Sequence, residues 1–335
     1  MEKKELTAGE RFRRFVKGES VDRLPMLEWA PWWDQTIRRW HGEGLDKSLD
    51  ALGVQRYFGL DGCLQTYFTW RTPQTPHAPQ HGHGIIKSAA DYQKIKPTLY
   101  RDPTTFYSKE YFDWLKKTGE SDGDTVHWFT VEGFFWMPRE LFGIEDHLYA
   151  FYDEPDLMHE ISYDNKEWLK KVFEFIGNTH RFDFMTFAED MSYNSGPMIG
   201  KNLFDEFLAP YYKELIPILK QMDVPVVIDS DGDITDAVDW YASVGAEGML
   251  PLERRAGVDV SKYIEKHPEM FFLGHFDKTC MAKGEGEMRK EFERLLPSWQ
   301  GGKLVPAVDH QTPPDVSLET YKTYVKLFKE YAKKV

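Results

Sequence analysis

The second half of the chain alternates short apolar runs with amphipathic segments, and each apolar run ends in side chains that bind metals or move protons. Four runs show this pattern: residues 224–228 before Asp229 and Asp231, 248–252 before Glu253, 271–274 before His275, and 304–308 before Asp309 and His310. Short apolar strands separated by amphipathic helices form parallel sheets, and ligands bind at the carboxyl ends of such strands. We therefore expect the chemistry of this protein where these four ends meet.

The first half of the chain contains further predicted strands. They cover residues 24–29, 125–131 and 184–188, and the last of them ends in Glu189 and Asp190. Strands that alternate with helices predict an α/β fold, a single (β/α)8 TIM-type barrel, although periodicity alone also allows an open sheet. No linker or composition change marks a boundary, so residues 1–335 are predicted to form one domain.

Two additions to the barrel are expected. Thr7 and Glu10 have the spacing of a capping box, and the apolar positions that follow predict a short N-terminal cap helix ending near Gly18. Residues 72–83 are rich in Pro and His and predict a hairpin or a lid-like insertion rather than a separate domain.

Composition excludes several classes of partner. The chain has 55 acidic and 42 basic residues, and its formal net charge of -13 would repel DNA or RNA. No apolar run approaches the length of a signal peptide or a membrane span, so a cytoplasmic protein without a membrane partner is expected. The two cysteines, Cys63 and Cys280, lie far apart and encode neither a disulfide framework nor a thiolate zinc site.

Several motifs, taken in order, resemble the uroporphyrinogen decarboxylase superfamily. They are Asp231-Gly232-Asp233, residues 250–253 with 256–259, residues 273–278, residues 308–310 with 313–317, and the N-terminal residues 10–12 and 18–25. The resemblance implies a single barrel with its site at the carboxyl-end face. It also implies one of two activities, porphyrinogen decarboxylation or methyl transfer to or from a corrinoid cobalt, and the fold does not choose between them.

The residues at the expected site depart from both branches of the superfamily. Residues 27–34 offer aromatic rings and acids where decarboxylases carry an Arg-rich loop for a polycarboxylate substrate, which disfavours decarboxylation. The His-x-Cys motif and the further Cys of the zinc-dependent methyltransferases are also replaced by Asp229, Asp231, Asp309 and His310.

A harder set of imidazole and carboxylate ligands could still hold zinc with an open position. The predicted metal ligands are Asp229, Glu253, His275 and His310, with Asp231 as an alternative to Asp229 or as a partner that orients an imidazole. Other readings stay open. Strand-end carboxylates such as Asp233 and Asp277 often only cap the following helix, and both histidines could form hydrogen bonds or act without a metal.

Aromatic residues cluster at or just after predicted strand ends. Those predicted to bind substrate are Trp29, Trp32, Trp33, Phe134, Phe135 and Trp136. A pocket lined by such rings suits a flat aromatic substrate.

Together these features predict the methyltransferase component of a corrinoid-dependent O-demethylase. It would move methyl from a methoxylated aromatic compound to the cobalt of a separate corrinoid protein, and residues 72–83 would open for docking of that protein. The predicted catalytic residues are Glu189, Asp190, Asp231 and His310, although Glu189 and Asp190 could instead be a charged pair neutralised by Arg254 or Arg255. One alternative is a lyase with a basic pocket formed by Arg71, Arg139, Arg254 and Lys278, and another is a non-catalytic barrel that binds a small aromatic ligand. A homodimer is also an expectation for an acidic barrel of this kind.

Overall fold

The computed structural model describes residues 5–30, 32–121 and 123–334. The strands are β1 Gly62–Phe68, β2 Thr125–Glu132, β3 Phe184–Ala188, β4 Ser192–Tyr193, β5 Gly196–Pro197, β6 Val226–Asp229, β7 Gly248–Leu250, β8 Phe271–Phe276 and β9 Leu304–Val308. The α-helices are α1 Ala8–Val16, α2 Asp34–Gly42, α3 Ala51–Phe58, α4 Ala89–Ile95, α5 Lys109–Lys116, α6 Trp136–Phe142, α7 Ile144–Asp153, α8 Pro155–Thr179, α9 Lys201–Leu203, α10 Ala209–Gln221, α11 Thr235–Ser243, α12 Val260–Lys266, α13 Glu285–Gln300 and α14 Leu318–Tyr331.

The contacts of the chain define two compact units. The first comprises Met1–Gln65, Lys116–Trp128 and Gly248–Val335, and the second comprises Thr66–Leu115 and Phe129–Glu247. In the second unit β3 pairs with β6 in parallel, and in the first unit β7, β8 and β9 pair in parallel in chain order. Parallel strands alternating with helices confirm the predicted α/β fold class, that of a TIM-type barrel.

The N-terminal cap helix is present as predicted. The Thr7 hydroxyl accepts the backbone N–H of Glu10 at 3.2 Å, and the Glu10 carboxylate accepts the backbone N–H of Thr7 at 3.1 Å. This capping box satisfies two of the N–H groups that a helix start leaves unpaired, so α1 begins at Ala8.

Residues 24–29 do not form the predicted first strand. Their backbone groups bond to loops instead, since the N–H of Met26 donates to the Asp61 carboxylate at 2.9 Å and the N–H of Leu24 donates to the carbonyl of Ala332 at 3.0 Å. Leu24, Met26 and Leu27 are nevertheless buried. Burial therefore produced a strand-like sequence pattern without a strand ladder.

The longest helix, α8, is amphipathic over its 25 residues. Leu157, Ile161, Trp168 and Val172 are among its buried side chains, and charged residues separate them. No helix in the described part of the chain combines the length and the apolar character needed to cross a membrane.

The insertion at residues 72–83 is a loop rather than a hairpin. The hydroxyls of Thr72 and Thr75 donate to the carbonyl of Thr98 at 2.6 and 2.7 Å, and an isolated bridge joins His83 to Gly143. These contacts fix the loop at both ends, while most of its side chains are exposed.

Candidate active site

In the second unit, acidic side chains gather at the carboxyl ends of β3 and β6. Ala188 and Asp229 are partners in the parallel register, and the N–H groups of Glu189 and Asp190 both donate to the Asp229 carbonyl, at 2.9 and 3.0 Å. This register brings the carboxyls of Asp190, Asp229 and Asp231 close together. Burial raises the pKa of Asp229 well above its usual value, and the neighbouring Asp231 and Asp190 carboxylates raise it further.

Glu132, at the end of β2, is a buried carboxyl that the sequence did not single out. The Thr69 hydroxyl donates to its two oxygens at 3.3 and 3.2 Å, and the Tyr67 hydroxyl donates at 3.4 Å. Burial raises the pKa of Glu132 to about 8, and Glu140 adds to the rise. The pKa of Tyr67 is raised too, first by burial and then by Glu132, Glu140 and Asp229. We call Glu132, Asp190, Asp229 and Asp231 the acid cluster.

The raised pKa values of Glu132 and Asp229 favour the protonated form of these two carboxyls. A carboxyl whose pKa lies near the working pH is suited to general acid catalysis. A strand-end signal was available for Glu132, because it follows an apolar run in the same way as Asp229 does.

Glu189 and Asp190, two of the predicted catalytic residues, have different surroundings. Glu189 is fully buried, and its carboxylate accepts the N–H groups of Phe134, Phe135 and Trp136 at 2.9, 2.8 and 3.0 Å, as well as the Tyr212 hydroxyl. These N–H groups belong to the start of α6, so Glu189 anchors that helix. Burial raises the pKa of Glu189 to about 8, and the three N–H groups oppose the rise.

Asp190, the other member of the pair, is held by a cation in the same unit. Its carboxylate lies 3.0 Å from Nη1 of Arg139, which also donates to the Asp190 carbonyl. Asp190 has a φ of 40°, a backbone conformation that non-glycine residues rarely adopt. The ion pair with Arg139 and this backbone conformation hold Asp190 in the acid cluster.

Only part of the predicted aromatic wall has the exposure that a pocket wall needs. Phe134 is buried and stacks on Tyr211 with ring centroids 5.1 Å apart, and Phe135 packs edge-on against His147 at 4.6 Å. Both are core residues. Trp136 is half-buried and lines a cavity.

Trp32 and Trp33, just before α2, also differ from each other in exposure. Trp32 is a core residue whose ring packs on Trp40, Phe58 and Tyr321. Trp33 is 42% exposed just before the helix. Burial of Trp32 leaves its ring no surface for a substrate, and the predicted role of Trp33 stays a prediction.

In the first unit, a second polar group lies at the ends of β7 and β9. Nζ of Lys278 is 3.6 Å from both the Glu253 and the Asp309 carboxylates, and the Trp29 indole packs edge-on against the His310 imidazole at 6.2 Å. Asp309 also accepts the N–H groups of Arg254 and Lys278, both at 3.2 Å. Burial raises the pKa of Asp309 to about 6 and, with Lys278, lowers that of His310.

His275 does not present a nitrogen to a metal. It is fully buried, with Nδ1 2.9 Å from the Leu252 carbonyl and Nε2 3.3 Å from Nη1 of Arg294. Nδ1 therefore donates and Nε2 accepts, which is a neutral imidazole with both nitrogens engaged. Burial lowers the pKa of His275 to about 4, which agrees with that state.

The predicted zinc site does not fit the residues present. Within the described ranges, no three His, Cys, Asp or Glu side chains come together in a way that could hold a metal ion. The nitrogens of His275 are engaged, and Glu253 contacts Lys278. We therefore derive no chemical step through zinc.

Comparison with known proteins identifies the family. The uroporphyrinogen decarboxylase (URO-D) family model matches residues 145–331, more than half of the chain, so the chain belongs to this family, as its motifs predicted. It is similar to the solved structure of a methyltransferase from Methanosarcina mazei, with 15% identity and a TM-score of 0.66, over 98% of this chain and 99% of that one.

A putative vitamin-B12 independent methionine synthase from Listeria monocytogenes is 12% identical, with a TM-score of 0.44 over 93% of this chain and 96% of that one. No curated protein matches the chain. At 15% identity the match to the Methanosarcina mazei methyltransferase shows the fold alone, and the activity has to be argued from the site.

Proposed function

We propose that the protein is a methyltransferase that moves methyl from a methoxylated aromatic compound to the cobalt(I) of a corrinoid carried by a partner protein. Membership of the URO-D family and the likeness to a protein named a methyltransferase support the general class. The acid cluster supports the finer assignment, because demethylation of an aryl ether needs a proton donor for the departing oxygen.

The observation that carries the proposal is a pair of strand-end carboxyls, Glu132 at the end of β2 and Asp229 at the end of β6, whose pKa values are raised by burial. A phenolate is a poor leaving group in water-free surroundings unless its charge is neutralised as it forms. A protonated carboxyl at hydrogen-bond distance from the ether oxygen would provide that neutralisation.

The proposed reaction balances without zinc. The electron pair of cobalt(I) forms the bond to the methyl carbon, the carbon–oxygen bond breaks, and its electron pair goes to the oxygen. Glu132 gives its proton to that oxygen, so a phenol leaves, and the carboxylate regains a proton from water. The hydroxyls of Tyr67 and Thr69 hold the Glu132 carboxyl in place.

A polycarboxylate lyase is disfavoured by the charges around the candidate cations. Arg71 lies 2.9 Å from Glu140, Arg139 lies 3.0 Å from Asp190, and Lys278 lies 3.6 Å from Glu253. Each cation is matched one to one by a carboxylate, which leaves no surplus positive charge for a substrate that carries many carboxylates.

The test is methylation of cob(I)alamin by purified protein with a panel of methoxyarenes, followed by absorbance. We expect cobalt(I) to be consumed and methylcobalamin to form only when protein and a methoxyarene are both present, with one phenol released per methyl transferred. The corresponding phenols, which lack the methyl group, are the control. Failure with every methoxyarene, combined with decarboxylation of a porphyrinogen, would establish the lyase instead.

A further inference from the structure

The second unit contains a cavity of about 350 Å³ between the residue 72–83 loop and the start of α6 and α7. Its walls include Arg71, His81, His83, Trp136, Arg139 and Glu140. The volume lies at the lower end of the range of small-molecule sites, about 300 to 1,000 Å³. A cavity of this size suits a single substituted ring.

Two guanidinium groups in this cavity are fixed by aromatic and acidic neighbours. Arg71 lies over the Trp70 ring at 4.4 Å and donates from Nε and Nη2 to Glu140. Arg139 lies over the Trp136 ring at 4.8 Å and donates from Nη1 to Asp190. Stacking and ion pairing restrict the movement of both guanidinium groups, so their orientation is set before a ligand binds.

Each guanidinium group retains N–H groups that can donate a hydrogen bond to a ligand. Within the described residues, Nη1 of Arg71 and both Nε and Nη2 of Arg139 have no hydrogen-bond acceptor. The Arg139 side chain is only 17% exposed, so these donors are largely withdrawn from bulk water. A planar carboxylate is the acceptor that matches such N–H groups in geometry and charge.

The geometry points to a site for an aromatic carboxylate, with the carboxylate on Arg71 and Arg139 and the ring against Trp136. The inference deepens the proposed function, on which its account of the substrate rests: the methyl donor is a methoxybenzoate rather than an uncharged methoxyarene. Arg139 also contacts Asp190, so one ion pair links an anchoring residue to the acid cluster.

The binding test uses benzoate as the probe, with methyl benzoate as its uncharged counterpart, in calorimetric titrations of the full chain. We expect benzoate to bind at least about tenfold more tightly than the ester, and Arg139→Gln and Arg71→Gln to weaken benzoate binding by about tenfold to a hundredfold. Arg139→Lys keeps the positive charge but loses the planar guanidinium group, so it should also weaken benzoate binding. Arg181→Gln is the matched control, because Arg181 forms an exposed ion pair with Asp223.

Three outcomes would overturn the site: no saturable binding of benzoate, equal binding of benzoate and methyl benzoate, or unchanged affinity in both glutamine variants. The two arginines are tested separately, so a folding defect in one variant leaves the other decisive.

Methylation of cob(I)alamin, measured alongside the titrations, separates this inference from the proposed function. Selective benzoate binding without methylation of cob(I)alamin by 4-methoxybenzoate would refute the function and retain the site. Equal kcat/KM for 4-methoxybenzoate and 1,2-dimethoxybenzene would retain the function and refute the site.

Discussion

Glu132→Gln is expected to lower the kcat of methyl transfer by about a hundredfold to ten-thousandfold, the range over which general acids contribute. Glutamine preserves the shape of the side chain and its contact with the Thr69 hydroxyl but cannot release a proton. Asp229→Asn should show a loss of the same kind, because its carboxyl belongs to the same cluster. The measurement is the initial rate of methylcobalamin formation at saturating methoxyarene.

The pH dependence of that rate separates proton donation from simple structural damage. The active form of Glu132 is the protonated one, and its pKa is raised to about 8. The wild-type rate should therefore be level below this pH and fall about tenfold for each pH unit above it. This fall in rate at high pH should be absent in the Glu132→Gln variant. Glu174→Gln, at an exposed position of α8, is the control. A wild-type rate that increases with pH would contradict the assignment.

Glu189→Ala is expected to lower the free energy of unfolding by at least about 3 kcal/mol, because each buried donor left without an acceptor costs about 1 to 3 kcal/mol. The variant removes the acceptor of four donors: the N–H groups of Phe134, Phe135 and Trp136 and the Tyr212 hydroxyl. Chemical denaturation followed by circular dichroism measures the loss.

Two further variants make the Glu189 result specific. Tyr212→Phe removes the hydroxyl donor together with its hydrogen bond to Glu189. The free energy of unfolding should fall by about 1 kcal/mol. Glu174→Ala removes an exposed carboxylate and should leave stability within about 0.5 kcal/mol of wild type. Wild-type stability in Glu189→Ala would show that Glu189 does not anchor α6.

Much of the fold was predictable because strand and helix periodicities follow each other along the chain. The capping box at Thr7 and the strand before Asp229 are local features, and local sequence encodes them. The failure at residues 24–29 has a physical cause. Periodicity reports burial, whereas a strand also requires a neighbouring backbone, and here the Asp61 carboxylate takes the place of that neighbour.

The site was predictable only in outline. The apolar runs indicated strand ends that carry carboxyls, such as Asp190 and Asp229, but the sequence could not distinguish a carboxyl that anchors a helix from one that belongs to the acid cluster. Glu189 and Asp190 are adjacent in the chain, yet only Glu189 faces the α6 start.

The histidines illustrate the same limit on sequence reasoning. Whether His275 can bind a metal depends on its ring nitrogens, which the Leu252 carbonyl and Arg294 occupy through contacts remote in sequence. The sequence could name Arg139 only as a candidate cation, because its partner Asp190 is remote in sequence and meets it only through the fold.

The protons that Glu132 and Asp229 are expected to hold at neutral pH can be observed directly by infrared spectroscopy, since a protonated carboxyl and a carboxylate absorb at different frequencies. Wild type minus Glu132→Gln and wild type minus Asp229→Asn should each show a protonated-carboxyl band at neutral pH, and the Glu132 band should vanish as the pH rises through about 8. Difference spectra that contain only carboxylate bands at neutral pH would contradict the proposed acid catalysis at these strand ends.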